Sequence, residues 1–218
     1  ASGNALFGAN ASGSATSTGS FGVLKLGRYN QGVGGANNTV FGSGAGASLG
    51  TGDSNTALGY YAGNALTTGH NNVAIGNNAL LNSQDIGFAV AIGNSVMASG
   101  TMTSAADGTV AIGKSALTNL SSGANNVGIG ANVLDQLTTG GYNTAIGVNA
   151  LHALDGSESE NVAIGYNAGS NGDGATNNIL IGSNALLSTG AGTNQIVIGK
   201  DTTGVANNSV TLGNADVT

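Results

Sequence analysis

The residues able to do acid–base or metal chemistry are few. The chain has 2 His, 10 Asp and Glu, and no Cys. A zinc site needs three or four N or S ligands around one point. His70 and His152 stand far apart in the sequence, and a turn histidine is ordinarily just solvated. Glycoside hydrolysis needs two carboxylates at a set separation across a cleft. Asp155, Glu158 and Glu160 form the one acidic cluster, within "DGSESE", and read as a polar, enlarged turn. "NGDG" at 171–174 hints at a calcium-binding Gly-Gly-x-Gly-x-Asp unit but does not recur. "GSGAG" at 42–46 and "GVGG" at 32–35 lack the helix and lysine of a phosphate loop. The expectation is no catalytic residue, no metal and no cofactor.

Composition narrows the class. Forty of 218 residues are Gly, and Pro and Trp are absent. Without Pro the chain is not collagen. Charged residues make up 6% and aromatic residues 4%, so bulky side chains cannot fill a thick core. With 40% hydrophobic residues, mostly small aliphatics, the chain can bury surface only in thin, closely spaced layers. The net charge is −6, and Lys25, Arg28, Lys114 and Lys200 are its only cations. That excludes the clustered basic patch of a nucleic-acid binder. No apolar run approaches the ~20 residues of a spanning helix, so no membrane insertion is expected of this segment. Starting at Ala1 beside repeat-like sequence, the chain reads as a slice of a longer or processed protein.

A repeat organises nearly everything else. "SNTALGYYAG" (54–63), "NNVAIGNNAL" (71–80) and "FAVAIGNSVM" (88–97) share an apolar triplet closed by Gly. That landmark Gly recurs at 42, 59, 76, 93, 113, 130, 147, 165, 182, 199 and 213, and seven of the ten spacings are 17. Such regularity marks a solenoid. Triplets such as Val73-Ala74-Ile75 are short and β-branched at the outer positions, which favours strands. A second extended piece is expected at Asn78-Ala79-Leu80 and Asn184-Ala185-Leu186. A unit of this length is too short for a βαβ turn. The fold class is therefore all-β: a parallel β-solenoid of about 17-residue coils, about 4.8 Å of rod per coil. Residues 1–37 form degenerate N-terminal repeats, among them copies at 4–11 and 20–27, and 38–218 form the regular array.

Asn recurs four residues before the landmark, at Asn38, Asn55, Asn72, Asn126, Asn143, Asn161 and Asn178. Stacking would align these amides into a ladder, although Asn also suits turns for its own reasons. A second column lies two residues after the landmark, at Asn78, Asn132, Asn149, Asn167 and Asn184, with Ser95 and Ser115 as substitutes. Another Gly column, at 35, 52, 69, 123, 140 and 192, opens each return turn. Coils this small leave apolar columns facing outward, and long apolar stripes mark an interface.

The recurring "NVAIGxNAL" with Gly-x-x-Asn between copies resembles the head repeats of trimeric autotransporter adhesins, the YadA-like left-handed β-roll. It is closer still to the same repeat in bacteriophage tail fibres. "NNSVTLGNADVT" (207–218) is similar to the stretch leading into the self-cleaving chaperone domain of some tail fibres. The resemblance covers about residue 38 onward, and the period here is longer than the adhesin unit. It implies a parallel homotrimer that is extracellular, on a virion tail fibre or alternatively a bacterial surface. It implies a non-enzymatic structural and host-attachment role, with a carbohydrate-cleaving tailspike as a further alternative.

A regular rod repeats its surface, so a host-surface glycan or protein receptor is expected to be met where regularity breaks. The largest break is at 97–108, where three extra residues enter, with Thr101, Met102 and Thr103 at its centre. Tyr60, Tyr61, His70 and Tyr142 are the other expected receptor contacts, being large and able to stack or hydrogen-bond.

Overall fold

A computed structural model describes residue 35 and residues 37–214. The repeat copies expected at 4–11 and 20–27, and the last residues of the 207–218 stretch, lie outside that range. Eleven three-residue strands follow one another: β1 (Thr39–Phe41), β2 (Thr56–Leu58), β3 (Val73–Ile75), β4 (Val90–Ile92), β5 (Val110–Ile112), β6 (Val127–Ile129), β7 (Thr144–Ile146), β8 (Val162–Ile164), β9 (Ile179–Ile181), β10 (Ile196–Ile198) and β11 (Val210–Leu212). They make one parallel sheet in chain order. The chain is a parallel β-solenoid, and each coil lays its triplet beside the last. Register follows the repeat: Val73 pairs with Val90, and Val127 with Thr144. It survives the three-residue insertion, since Val90 still pairs with Val110.

The strands alternate as a pleat requires. The central Ala74, Ala91, Ala111, Ala145 and Ala163 are fully buried, while the flanking Val, Thr and Ile face out. Small residues stand inside because the coil is narrow. Leucines from the rest of each coil complete the core: Leu80, Leu117, Leu134 and Leu151 in one column, Leu66, Leu120, Leu137 and Leu154 in another.

The expected second strand is absent. Asn78 and Leu80 have φ of 56° and 52°, so every other residue is left-handed and the segment bends around the coil. It still bonds to both neighbours: the Asn78 N–H donates to Tyr60 O at 2.9 Å, and the Leu80 N–H to Val96 O at 3.1 Å. Asn184 bends likewise (φ 54°), and beyond it only Leu186 makes an isolated parallel bridge, to Thr203. The landmark Gly turns the chain out of each strand. Gly76 has φ 129°, and a Cβ there would fall on the Gly93 carbonyl of the next coil. Both facts require Gly.

The first Asn column lies inside the coil. Asn143 Oδ1 accepts the Asn161 backbone N–H and Nδ2, both at 3.1 Å, while Asn143 Nδ2 donates to Glu158 O at 2.8 Å and to Asn126 Oδ1 at 3.2 Å. Asn178 repeats the pattern on Asn161, and Asn72 on Asn55. Asn38 Oδ1 accepts only the Asn55 N–H, at 2.8 Å. Ala89 and Thr109 separate the two runs. The carbonyls receiving Nδ2 include those of the second Gly column, Gly69, Gly140 and Gly192. Asn143→Leu would strand a buried N–H and a buried carbonyl and should cost about 3–5 kcal/mol, against roughly half that for Asn38→Leu at the end of its run. Urea unfolding of both variants measures this; equal, negligible losses would mean that the amides serve only local turns.

Candidate functional site

Beginning with the acids, the fold brings Asp155, Glu158 and Asp173 together, with carboxylate oxygens within 4.8 Å of one another. Glu160, expected beside them, instead occupies a left-handed corner (φ 61°). Glu158 is buried, and both of its oxygens are taken: Oε2 accepts the Gly156 N–H at 2.8 Å, and Oε1 the Gly174 N–H at 3.2 Å. Its carboxylate clamps two successive turns. His152 Nδ1 lies 2.6 Å from Asp135 Oδ1, and its Nε2 lies 3.1 Å from Gln136 Nε2. These side chains tie one coil to the next at a half-exposed corner.

The expected contact residues divide among three places. Tyr60 and Tyr61 meet edge to face, with ring centroids 4.4 Å apart, on the corner after the strand. The Tyr61 hydroxyl, by a hydrogen bond and then by its charge, raises the exposed Tyr60 phenol above its ordinary pKa. Within the insertion, Thr101 and Thr103 are exposed, and Thr103 caps a 3-10 turn, Ser104–Ala106. Met102 is not at the surface: its side chain is fully buried in the core cluster, as is Ala106. The extra residues refill the core, because Ser83 and Gly100 stand where other coils have Leu66 and Leu120.

The third place is the corner just before the strand. Five residues ahead of each landmark Gly, every described coil has a positive φ, with Asn71, Asn125, Asn177 and Asn194 as the common occupants. Phe88 and Tyr142 break the column, at φ 55° and 60°, and are 59% and 64% exposed. Neither ring serves the core. His70 stands one coil from Phe88, with ring centroids 5.1 Å apart at 84°, and the Phe88 N–H donates to His70 O at 3.0 Å. Between them is Gly87, where a Cβ would sit 3.1 Å from His70 Cε1 and Nε2 and 3.4 Å from Asp107 Oδ2. Asp107 Oδ1 accepts the Gly87 N–H at 2.6 Å. The insertion therefore delivers a carboxylate to the His70–Phe88 pair. Phe88 was missed in the sequence because "GFAVAIG" reads as apolar strand, and Asp107 because the insertion sets it 20 residues from Gly87 instead of 17. Aligning the columns by landmark Gly would have exposed two aromatics in a turn position.

On the sheet's outer face, the two flanking columns run unbroken by charge from β1 to β11. Phe41, Leu58, Ile129, Ile146, Ile164, Ile181, Ile198 and Leu212 are all substantially exposed. The chain matches no protein-family model, no curated protein and no solved structure. Met102→Ala should cost about 2–5 kcal/mol in chemical denaturation, as a buried Met does, whereas Thr101→Ala should stay within about 0.5 kcal/mol. A neutral Met102→Ala would return that residue to the surface.

Proposed function

We propose that this chain is a non-enzymatic rod segment of a trimeric phage tail fibre, which spaces and presents a host-attachment surface. The observation that carries the reading is the outward sheet face. Eight of the eleven strands turn an aliphatic pair outward, and β1, β2 and β7 put Thr in one of the two columns, over a face about 48 Å long and 10 Å wide. Soluble monomers rarely leave an apolar stripe of that extent uncovered. Two parallel columns on one flat face suit two neighbours around a common axis, so a parallel homotrimer covers them with no other protein needed. The recurring triplet–Gly–x–Asn motif and its resemblance to fibre repeats support the same assembly and an extracellular, virion-borne location.

Attachment rather than catalysis is favoured by what the acids do. Glu158, the buried member of the Asp155–Glu158–Asp173 group, has both oxygens committed to backbone N–H groups, leaving it poorly placed to exchange a proton with a substrate. The partner would be a host-surface glycan or protein met at the corners of the rod. Light scattering on the folded protein should give three times the 20.8 kDa chain mass. Ile129→Lys with Ile146→Lys, two charges in mid-face, should release soluble monomers. A stable wild-type monomer would refute the assembly.

A further inference from the structure

We propose that the corner formed by His70, Gly87, Phe88 and Asp107, continued along the rod by Tyr142, binds a neutral oligosaccharide. The proposal names the ligand class for the attachment role above and rests on that reading for its biological setting.

Backbone conformation is the first argument. A left-handed φ suits Asn and Gly and strains an aromatic residue. Asn fills this column in most coils, yet Phe88 and Tyr142 hold it with their rings in solvent. Neither ring enters the core; the fold's one ring contact here is the edge-to-face meeting of Phe88 with His70. Strain kept at an exposed aromatic is what a ligand contact would explain.

Chemical complementarity is the second. An aromatic face is electron-rich and attracts the polarised C–H bonds on one side of a pyranose ring. Sugar hydroxyls then need acceptors and donors at the ring's edge. Asp107 Oδ2 and His70 Nε2 flank the bare Gly87 backbone, while Asp107 is held by its other oxygen. Both groups are only partly covered. A side chain on Gly87 would fill the space between them.

Charge selects the kind of sugar. Asp53, Asp85, Asp107, Asp155, Glu158, Glu160 and Asp173 all lie in the turn region five to ten residues before a landmark Gly. Lys114 and Lys200 each follow a landmark Gly, at the opposite end of a strand. This side of the rod therefore repels uronates, sialic acids, sulfates and phosphates, and a neutral glycan pays no such penalty. Length follows from the coil spacing. Phe88 and Tyr142 are three coils apart, about 14 Å, and only Gly108 and Asn125 occupy the column between them. Two platforms with a low floor between them fit a chain of several sugars better than a single residue.

The test uses the whole chain and saturation-transfer NMR with maltohexaose, cellohexaose, chitohexaose and mannohexaose, with a heparin hexasaccharide as the acidic comparison. At least one neutral hexasaccharide should bind and the heparin fragment should not. Phe88→Asn should fold with an unchanged or higher Tm, since Asn suits the position, while binding weakens about tenfold or more. Asp107→Asn should weaken binding as well. Tyr142→Asn should remove the advantage of a hexasaccharide over a disaccharide, and Tyr166→Asn, after the strand, should change nothing. The proposal is overturned if no neutral hexasaccharide binds, if the heparin fragment binds better, or if Phe88→Asn binds as the wild type does. Attachment to host cells, measured in parallel, separates the two readings. Wild-type attachment that Phe88→Asn leaves intact removes the corner and keeps the attachment role. Oligosaccharide binding without cell attachment does the reverse.

Discussion

The rod depends on one requirement, that each coil's backbone be satisfied by the coil beside it. A strand of three residues has no partner within its own coil. Gly76, Gly93 and Gly147 each donate an N–H to the coil before, at 2.8 Å, and their carbonyls lie where a Cβ of the preceding landmark Gly would be. Coils can approach that closely only if the residue has no side chain and tolerates a large positive φ. The same requirement accounts for the absence of Pro, whose missing N–H would open a rung of the ladder. It also explains why an inserted segment has to rejoin the register, as between Val90 and Val110, even while it turns Met102 and Ala106 into the core.

From this follows an arrangement in which polar amides lie inside and aliphatics outside. Asn126, Asn143, Asn161 and Asn178 are fully buried at no net loss, because each amide spends its donors and acceptors along the rod axis. Buried polar groups of this kind are acceptable when fully connected. The aliphatic columns on the sheet's outer face have no such compensation within the chain. The interior therefore accounts for a coil that stacks, while the outer face is left without cover from the chain itself.

Much of this was legible in the residues. The period, the strand triplets and their parallel register follow from the spacing of the landmark Gly, and the strands stand where the triplets are. The segment after each Gly was misjudged because Asn78-Ala79-Leu80 has the residue types of a short strand. Leu80 and Leu117 adopt φ of 52° and 48° inside the core, a conformation that side-chain identity does not announce; only the need to close the coil imposes it. Met102 looked like a loop residue because the gap it fills is made by Ser83 in the coil before and by Gly100, a residue without a side chain just ahead of it. The His70–Phe88–Asp107 corner was hidden for the same reason. Its members come from three successive coils, and the insertion shifts Asp107 out of simple spacing.

Gly147→Ala tests the central requirement most directly. Gly147 has φ 136°, and an added Cβ would meet the Gly165 carbonyl. Thermal and urea unfolding followed by circular dichroism should show a loss of at least about 4 kcal/mol, or no cooperative transition at all. A variant that unfolds within about 0.5 kcal/mol of the parent chain would show that the coils do not pack at this distance, and would contradict the account.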